Sequence, residues 1–354
     1  MKISSKTSVT FINSFRGSGI GDFGWKLFAE LKKSNDIVYH ESTPSWKGLL
    51  RIWKTVMSYK GVVIFNLGFT SFGKSAIRNL LNFMMIKIWS NSHPNTIVIL
   101  HDSVDTSNLS HSGYSHLNII SLGGNIATKM LKDCKIFVFA RHFLDILKSK
   151  YGFKNVYYFP FPCEEKEITK CYNNSGSPML INLGYIAPYK GIEILPEVKI
   201  RLKSVDISVV GNFHKTLLTT QKGITFKNNI EKLMRNAGID LLGYLTDDQV
   251  KDLVSRYKTI AVMPYHSGYN ASSSALYFVS LGIPVVASKI DVFTESKLNG
   301  AGIILVDRDA DSFVTAILGL INNNDVVERL IADDITYCEK YSMETFSNFL
   351  HGFL

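Results

Sequence analysis

Short apolar runs alternate along this chain with longer stretches whose apolar positions recur every three or four residues. The short runs have strand length and the longer ones helical period, so β and α elements follow one another in turn. In the first half, strands are predicted at Ser8–Ile12, Ile37–His40, Val62–Leu67, Thr96–Leu100, Ile136–Ala140 and Val156–Phe159. Helices are predicted there at Trp25–Lys33, Trp46–Tyr59, Ser75–Trp89 and Phe143–Tyr151. A stretch of proline, charge and small polar residues from Phe159-Pro-Phe-Pro to Pro178 breaks the alternation as a linker does. A second series begins at Met179, with strands predicted at Met179–Leu183, Ile207–Val210, Ile239–Leu242, Thr259–Met263, Pro284–Ala287 and Gly302–Val306. Its predicted helices are Ile192–Leu202, Asp247–Arg256, Ser273–Leu281 and Ser312–Ile321.

Repeated βαβα order implies parallel sheets with helices on both faces. The expected architecture is α/β: two Rossmann-like, doubly wound domains, at 1–162 and 179–340, joined by a linker at 163–178. Such domains bind ligands at the C-terminal edges of their strands, here expected in a central cleft that both domains face.

Length and composition agree with two cores, since the 354 residues exceed one typical domain and 46% are hydrophobic. Four cysteines, Cys134, Cys163, Cys171 and Cys338, lie in no metal-like spacing, which speaks for a reducing, cytoplasmic setting and against zinc. The opening segment has no apolar core of signal-peptide length, and the most apolar stretch, Leu80–Trp89, is short and broken by Lys87. Charge changes the picture more. Residues 1–162 hold 20 Lys+Arg against 8 Asp+Glu, whereas residues 163–354 hold 19 against 22, so a balance of +12 faces one of −3. The first half therefore calls for an anionic partner: a membrane surface, a phosphate-linked acceptor or nucleic acid. Two of its helical stretches, from Trp46 and from Ile77, mix aromatic, aliphatic and basic residues. Such helices lie in a membrane interface or pack on a sheet with their bases in solvent.

The second half carries ordered motifs. Ile181-Asn-Leu-Gly-Tyr-Ile-Ala-Pro-Tyr-Lys-Gly-Ile is followed by Gly243-Tyr-Leu-Thr-Asp-Asp, Ile260-Ala-Val-Met-Pro-Tyr, Gly282-Ile-Pro-Val-Val-Ala-Ser, Thr294-Glu and Tyr341-Ser-Met-Glu-Thr-Phe. Over residues 181–346 this set resembles the donor half of the retaining glycosyltransferases of family four (glycosyl transferases group 1), whose fold is GT-B. In the first half, Gly17-Ser-Gly-Ile-Gly after the first strand and Val98-Ile-Leu-His-Asp are similar to that family's acceptor side.

The resemblance implies transfer of a sugar from a nucleoside diphosphate sugar to a glycan or lipid-linked acceptor. Retention of anomeric configuration, no cofactor or metal and no nucleic acid partner are implied with it, as is a final helix over 341–354 packing toward the first domain. For the donor it implies Gly184, Lys190, Gly191, Ser272, Ser273, Ser274 and Glu295, with the lysine and the serine-rich helix start on the diphosphate. For the acceptor it implies Gly17, Gly19, Gly21, His101 and Asp102. His101 and Lys190 are the expected catalytic residues. Asp307-Arg-Asp-Ala-Asp reads as a helix cap rather than a metal site. The family's two glutamates eight positions apart are replaced by Tyr277 and by Gly268 or Tyr269, and Tyr185 stands where arginine is frequent. That loss admits a second reading, a non-catalytic glycosyltransferase-like subunit. A third comes from Gly68-Phe-Thr-Ser-Phe-Gly-Lys-Ser, which has the spacing of a phosphate-binding P-loop after a strand and before a helix, as in a nucleotide hydrolase.

Overall fold

The computed structural model describes residues 8–15, 19–43, 45–68, 71, 76–101, 117–163, 176–214, 217–267 and 271–354. They form two compact units. The first comprises, among the described residues, 8–101, 117–162 and 342–354; the second comprises 163 and 176–341.

The first unit is built on six parallel strands, β1 (Ser8–Asn13), β2 (Asp36–Glu41), β3 (Val62–Leu67), β4 (Ile97–Leu100), β5 (Lys135–Val138) and β6 (Val156–Tyr158), in the order β2-β1-β3-β4-β5-β6. Between them run α1 (Gly19–Leu31), α2 (Trp46–Ser58), α3 (Ala76–Ser92), α4 (Leu117–Met130) and α5 (Arg141–Ser149). Every residue of β3 is buried, as expected for a strand covered on both faces. Leu49, Ile52 and Val56 of α2 and Phe83, Ile86 and Trp89 of α3 join Val63, Phe65 and Val98 in one apolar core.

The second unit has β7 (Pro178–Leu183), β8 (Asp206–Val210), β9 (Asp240–Gly243), β10 (Lys258–Met263), β11 (Val285–Ser288) and β12 (Ile303–Val306), all parallel, in the order β9-β8-β7-β10-β11-β12. This order reverses direction between β7 and β10, which marks where ligands gather in open α/β sheets. Its helices are α6 (Leu195–Arg201), α7 (Gln221–Ala237), α8 (Asp247–Ser255), α9 (Ser273–Ser280), α10 (Asp291–Leu298), α11 (Ala310–Asn322) and α12 (Asn324–Lys340). Local chemistry sets several boundaries. Thr246 and Gln249 form a reciprocal capping box at the start of α8, and Gly238 ends α7 in the left-handed region. Asp309 caps α11, accepting from the Ser312 N–H at 2.8 Å, so this aspartate is a helix cap as expected from the sequence.

The last helix, α13 (Met343–His351), belongs to the first unit. Its Phe346 packs with Phe23, Phe139 and Phe159, and the Lys135 Nζ donates to the Phe353 carbonyl at 3.1 Å.

Several elements differ from the sequence expectation. The first helix begins at Gly19 rather than Trp25, and α4, α7, α10 and α12 were not anticipated. Most of the expected linker, 164–175, lies outside the described residues, and its final residue, Pro178, already opens β7.

Candidate functional site

In the second unit, the chain leaves β7 at Gly184 and enters the 3-10 turn Pro188–Lys190. Gly184 adopts a φ of +122°, and a Cβ there would lie 2.8 Å from the Ser274 Oγ and 3.6 Å from the Lys190 Nζ. Only a residue without a side chain lets the end of β7, the lysine and the start of α9 crowd together in this way. Gly191, with φ +65°, then turns the backbone beneath the Pro264 carbonyl at the end of β10.

Lys190 is 8% exposed. Its ammonium donates to the Tyr265 hydroxyl and stands 3.9 Å from the centre of the Tyr265 ring. Among the described residues, no carboxylate pairs with it in a salt bridge. Burial accordingly holds its pKa below the ordinary lysine value, with the nearby Tyr189 opposing that shift. Tyr265 is pushed up to about 12, foremost by burial, while the Ser272 and Ser274 hydroxyls hydrogen-bond its own and pull the other way. Ser272 also caps α9 through the Ala275 N–H. A desolvated ammonium, three hydroxyls and the positive end of a helix thus converge where the sheet order reverses. That set is complementary to an anion.

A second network anchors the same turn. Glu193, just past Gly191, accepts from the Arg308 Nη2 at 2.6 Å and contacts the His266 Nε2 at 2.5 Å. The Arg308 Nε donates to the Pro264 carbonyl at 3.3 Å, and the His266 N–H to the Tyr189 carbonyl at 2.8 Å.

In the first unit, strand register builds a different cluster. Asn13 of β1 lies opposite Asn66 of β3, and His101 follows β4 directly. The Asn66 Nδ2 donates to the Asn13 Oδ1 at 2.7 Å and to the Ile20 carbonyl at 2.9 Å, while its Oδ1 meets the His101 Nε2 at 2.7 Å. The Asn13 Nδ2 donates to the Gly21 carbonyl at 2.8 Å, so the amides fix the first turn of α1. Phe23, Phe139 and Phe161 surround the imidazole at 4.9, 5.2 and 6.5 Å between ring centres. Although the ring keeps some solvent access, these apolar walls and its burial push its pKa down to about 3, so it is neutral at physiological pH.

A histidine depressed in the folded state is protonated first in the unfolded chain, so its contribution to stability is complete above about pH 6.5 and declines as pH falls toward 3. Between pH 7.5 and 5.0 this amounts to at most about 2 kcal/mol. Urea unfolding of the wild type and of His101→Gln at those two pH values is expected to show the larger acid loss in the wild type. Equal losses would disprove the assignment.

The expected donor residues Gly184, Lys190, Gly191, Ser272 and Ser274 come together, and Ser273 is the exposed first residue of α9. Glu295 is half-buried on α10, two residues past Phe293, whose ring packs 5.1 Å from that of Tyr265; it takes no part in the hydrogen bonds above. On the acceptor side, Gly19 and Gly21 lie in the first turn of α1, where the amide network holds them. Gly17 and Asp102 fall outside the described residues. Tyr185 is exposed and meets His214 edge-on, and the Tyr277 hydroxyl reaches the Asp247 carbonyl at 3.5 Å; Gly268 and Tyr269 are outside the described residues. Of the P-loop-like stretch, Lys74 and Ser75 are likewise outside. At its start the Gly68 N–H is engaged by the Ser71 Oγ at 2.7 Å, and the Ser71 N–H by the Gly68 carbonyl. Sequence reasoning missed Tyr265, Arg308, Asn13 and Asn66. The asparagines had a signal, a lone amide ending an otherwise apolar strand.

Comparison with known proteins bears on the same region. Residues 164–334 match the family model of glycosyl transferases group 1. Sequence comparison with the curated proteins finds no match. Among solved structures, sucrose-phosphate synthase from Thermosynechococcus elongatus superposes with a TM-score of 0.73 at 11% identity, covering 98% of both chains. HepE from Anabaena, solved in complex with UDP-glucose, gives 0.70 at 12% identity over 98% of this chain and 100% of that one. WaaG, a glycosyltransferase involved in lipopolysaccharide biosynthesis, gives 0.62 at 10% identity over 97% and 98%. At such identities the likeness is one of fold, and the family assignment rests on the matched motifs. Residues 164–334 thus resemble a glycosyl transferases group 1 domain, in a chain with the α/β architecture of the GT-B glycosyltransferases.

Proposed function

We propose that this protein transfers a sugar, with retention at the anomeric carbon, from a nucleoside diphosphate sugar to a glycan or lipid-linked acceptor held at an anionic membrane surface. The observation that carries the donor side is Lys190, a buried cation among hydroxyls at the end of β7 with no carboxylate salt-bridged to it among the described residues. As the glycosidic bond breaks, negative charge grows on the departing diphosphate, and preorganised positive groups there lower the barrier. Lys190 is the catalytic group in this scheme, with Ser272, Ser273 and Ser274 on the phosphates. Gly184 and Gly191 allow the close approach, and Glu295 is assigned to the nucleotide. Retention follows if the leaving phosphate takes the proton of the attacking hydroxyl on the same face, a route that asks of the protein charge stabilisation rather than a nucleophile. Because Lys190 and the start of α9 supply positive charge, activity is expected to survive chelation of divalent ions.

In the first unit, neutral His101 is suited to hydrogen-bond the transferred sugar, with Gly17, Gly19, Gly21 and Asp102 assigned to the acceptor. UDP-sugars are the first donors to test, since HepE is described with UDP-glucose. The test is a panel of UDP- and GDP-sugars read by thermal shift and by nucleotide release. A cognate donor at 100 times its Kd stabilises by about 2.7 kcal/mol. If no nucleoside diphosphate sugar shifts the melting temperature or is turned over, the reading fails and a non-catalytic subunit takes its place.

A further inference from the structure

We infer that the outer faces of α2 and α3 form a docking surface for an anionic lipid membrane. This builds on the membrane-side acceptor proposed above and identifies the surface responsible. Both helices bury one face in the same core, Leu49, Ile52 and Val56 from α2 and Phe83, Ile86 and Trp89 from α3. An amphipathic helix on a sheet is then expected to present polar residues outward. These two do not. On α2 the outward side carries Trp46, Leu50 and Met57, each at least half exposed, with half-buried Trp53 completing an i, i+4, i+7, i+11 row. On α3 the exposed large apolar residues are Ile77, Leu80, Met84 and Ile88, again one row along the helix. Two parallel-period apolar rows on neighbouring helices exceed the scattered exposure normal for a protein surface.

Charge names the occupant. From Ser42 to His101 the sequence holds seven Lys or Arg and no Asp or Glu, an acid-free run of 60 residues that includes both helices. Lys47, Arg51 and Lys54 are exposed on α2 one position along from the apolar row. Lys87 of α3, one of the seven, is paired with Asp133, so its charge is answered within the protein. A protein partner would meet such a surface with acidic and apolar groups together. A bilayer with anionic headgroups offers both over any area, with apolar side chains sinking to the acyl boundary and bases remaining among the headgroups. No helix among the described residues is long and apolar enough to cross a membrane, so the contact is one of lying on the surface.

The experiment uses the full-length protein and sedimentation with vesicles of phosphatidylglycerol and phosphatidylethanolamine, against vesicles of phosphatidylcholine alone. The wild type is expected on the anionic vesicles. Lys47→Gln and Lys54→Gln should each lower the partition roughly fivefold at low salt. Leu50→Ser combined with Ile77→Ser and Met84→Ser should lower it by roughly tenfold or more while leaving the melting temperature unchanged, because these side chains face solvent. Equal partition onto the two vesicle types would overturn the inference, as would a triple variant that binds like the wild type. A wild-type dimer dissolved by the triple substitution would also overturn it, assigning the face to a second copy of the chain. Donor turnover measured without vesicles reports on the transferase reading separately: vesicle binding by a protein that turns over no donor supports the docking face and removes only the activity.

Discussion

Replacing Lys190 by methionine lowers turnover of the cognate sugar nucleotide by about 100- to 1000-fold while the protein melts no lower than the wild type. The size follows from what a single preorganised donor to a developing negative charge contributes in a water-poor site, about 2.7–4 kcal/mol. The unusual half of the expectation is the stability. A buried lysine pays for its desolvation unless an acid answers it, and among the described residues no salt bridge to a carboxylate does so; burial holds its pKa down for the same reason. Methionine keeps nearly the same volume and its contact with the Tyr265 ring while removing that cost. Steady-state kinetics beside thermal denaturation check both halves. A variant that is inactive because it is unfolded refutes the assignment, and so does one that is fully active. Tyr265→Phe, which keeps the ring and removes one hydroxyl, should fall between the wild type and Lys190→Met.

The alternation of elements was legible because most of the twelve strands among the described residues are short apolar runs, and parallel sheets bury such runs on both faces. Helices were legible only where a broad apolar stripe marked them. α4 contains Gly123-Gly124, which weakens a helical reading, and α7 buries little beyond Gly223, Ile230 and Met234. In α12 the buried row is interrupted by Asp334, whose carboxyl accepts from the Gly302 N–H and is raised well above the carboxylate range by burial. The start of α1 was obscured because three closely spaced glycines suggest a loop, whereas the side-chain amides of Asn13 and Asn66 accommodate the glycine-containing turn as helix.

The same division holds at the site. Gly184, Lys190 and Gly191 lie on one strand–turn segment, and Ser272 and Ser274 on one helix start, so their local spacing showed what they could do. Tyr265 meets Lys190 across 75 positions of sequence, and Asn66 meets Asn13 across 53. Those contacts exist because β10 lies beside β7 and β3 beside β1, an order that single-chain periodicity does not encode. The buried asparagines do show how such a cluster announces itself: an apolar strand that ends on an amide has a polar group to satisfy, and its partner is found at the same height on the neighbouring strand.

Gly191→Ala is expected to damage both turnover and stability, and its companion Gly238→Ala shows why. Both glycines have φ near +65°, so alanine meets the same left-handed backbone penalty of about 1–2 kcal/mol at either site. They differ in what the new methyl group meets. At Gly238, the cap of α7, nothing lies within 4 Å. At Gly191 the Cβ would sit 1.9 Å from the Pro264 carbonyl oxygen, a backbone atom at the end of β10 that also receives the Arg308 Nε. Relieving that overlap requires the turn to move by more than 1 Å, carrying Lys190 away from Tyr265 and the start of α9. A displacement of this size is enough to cost about 100-fold in rate. Gly191→Ala is therefore expected to lose about 100-fold in donor turnover and to melt about 5–12 °C lower, given roughly 2–4 °C per kcal/mol for a domain of this size. Gly238→Ala should keep wild-type turnover and lose only a few degrees. Equal turnover in the two variants would show that the position of the Lys190 turn does not govern the chemistry.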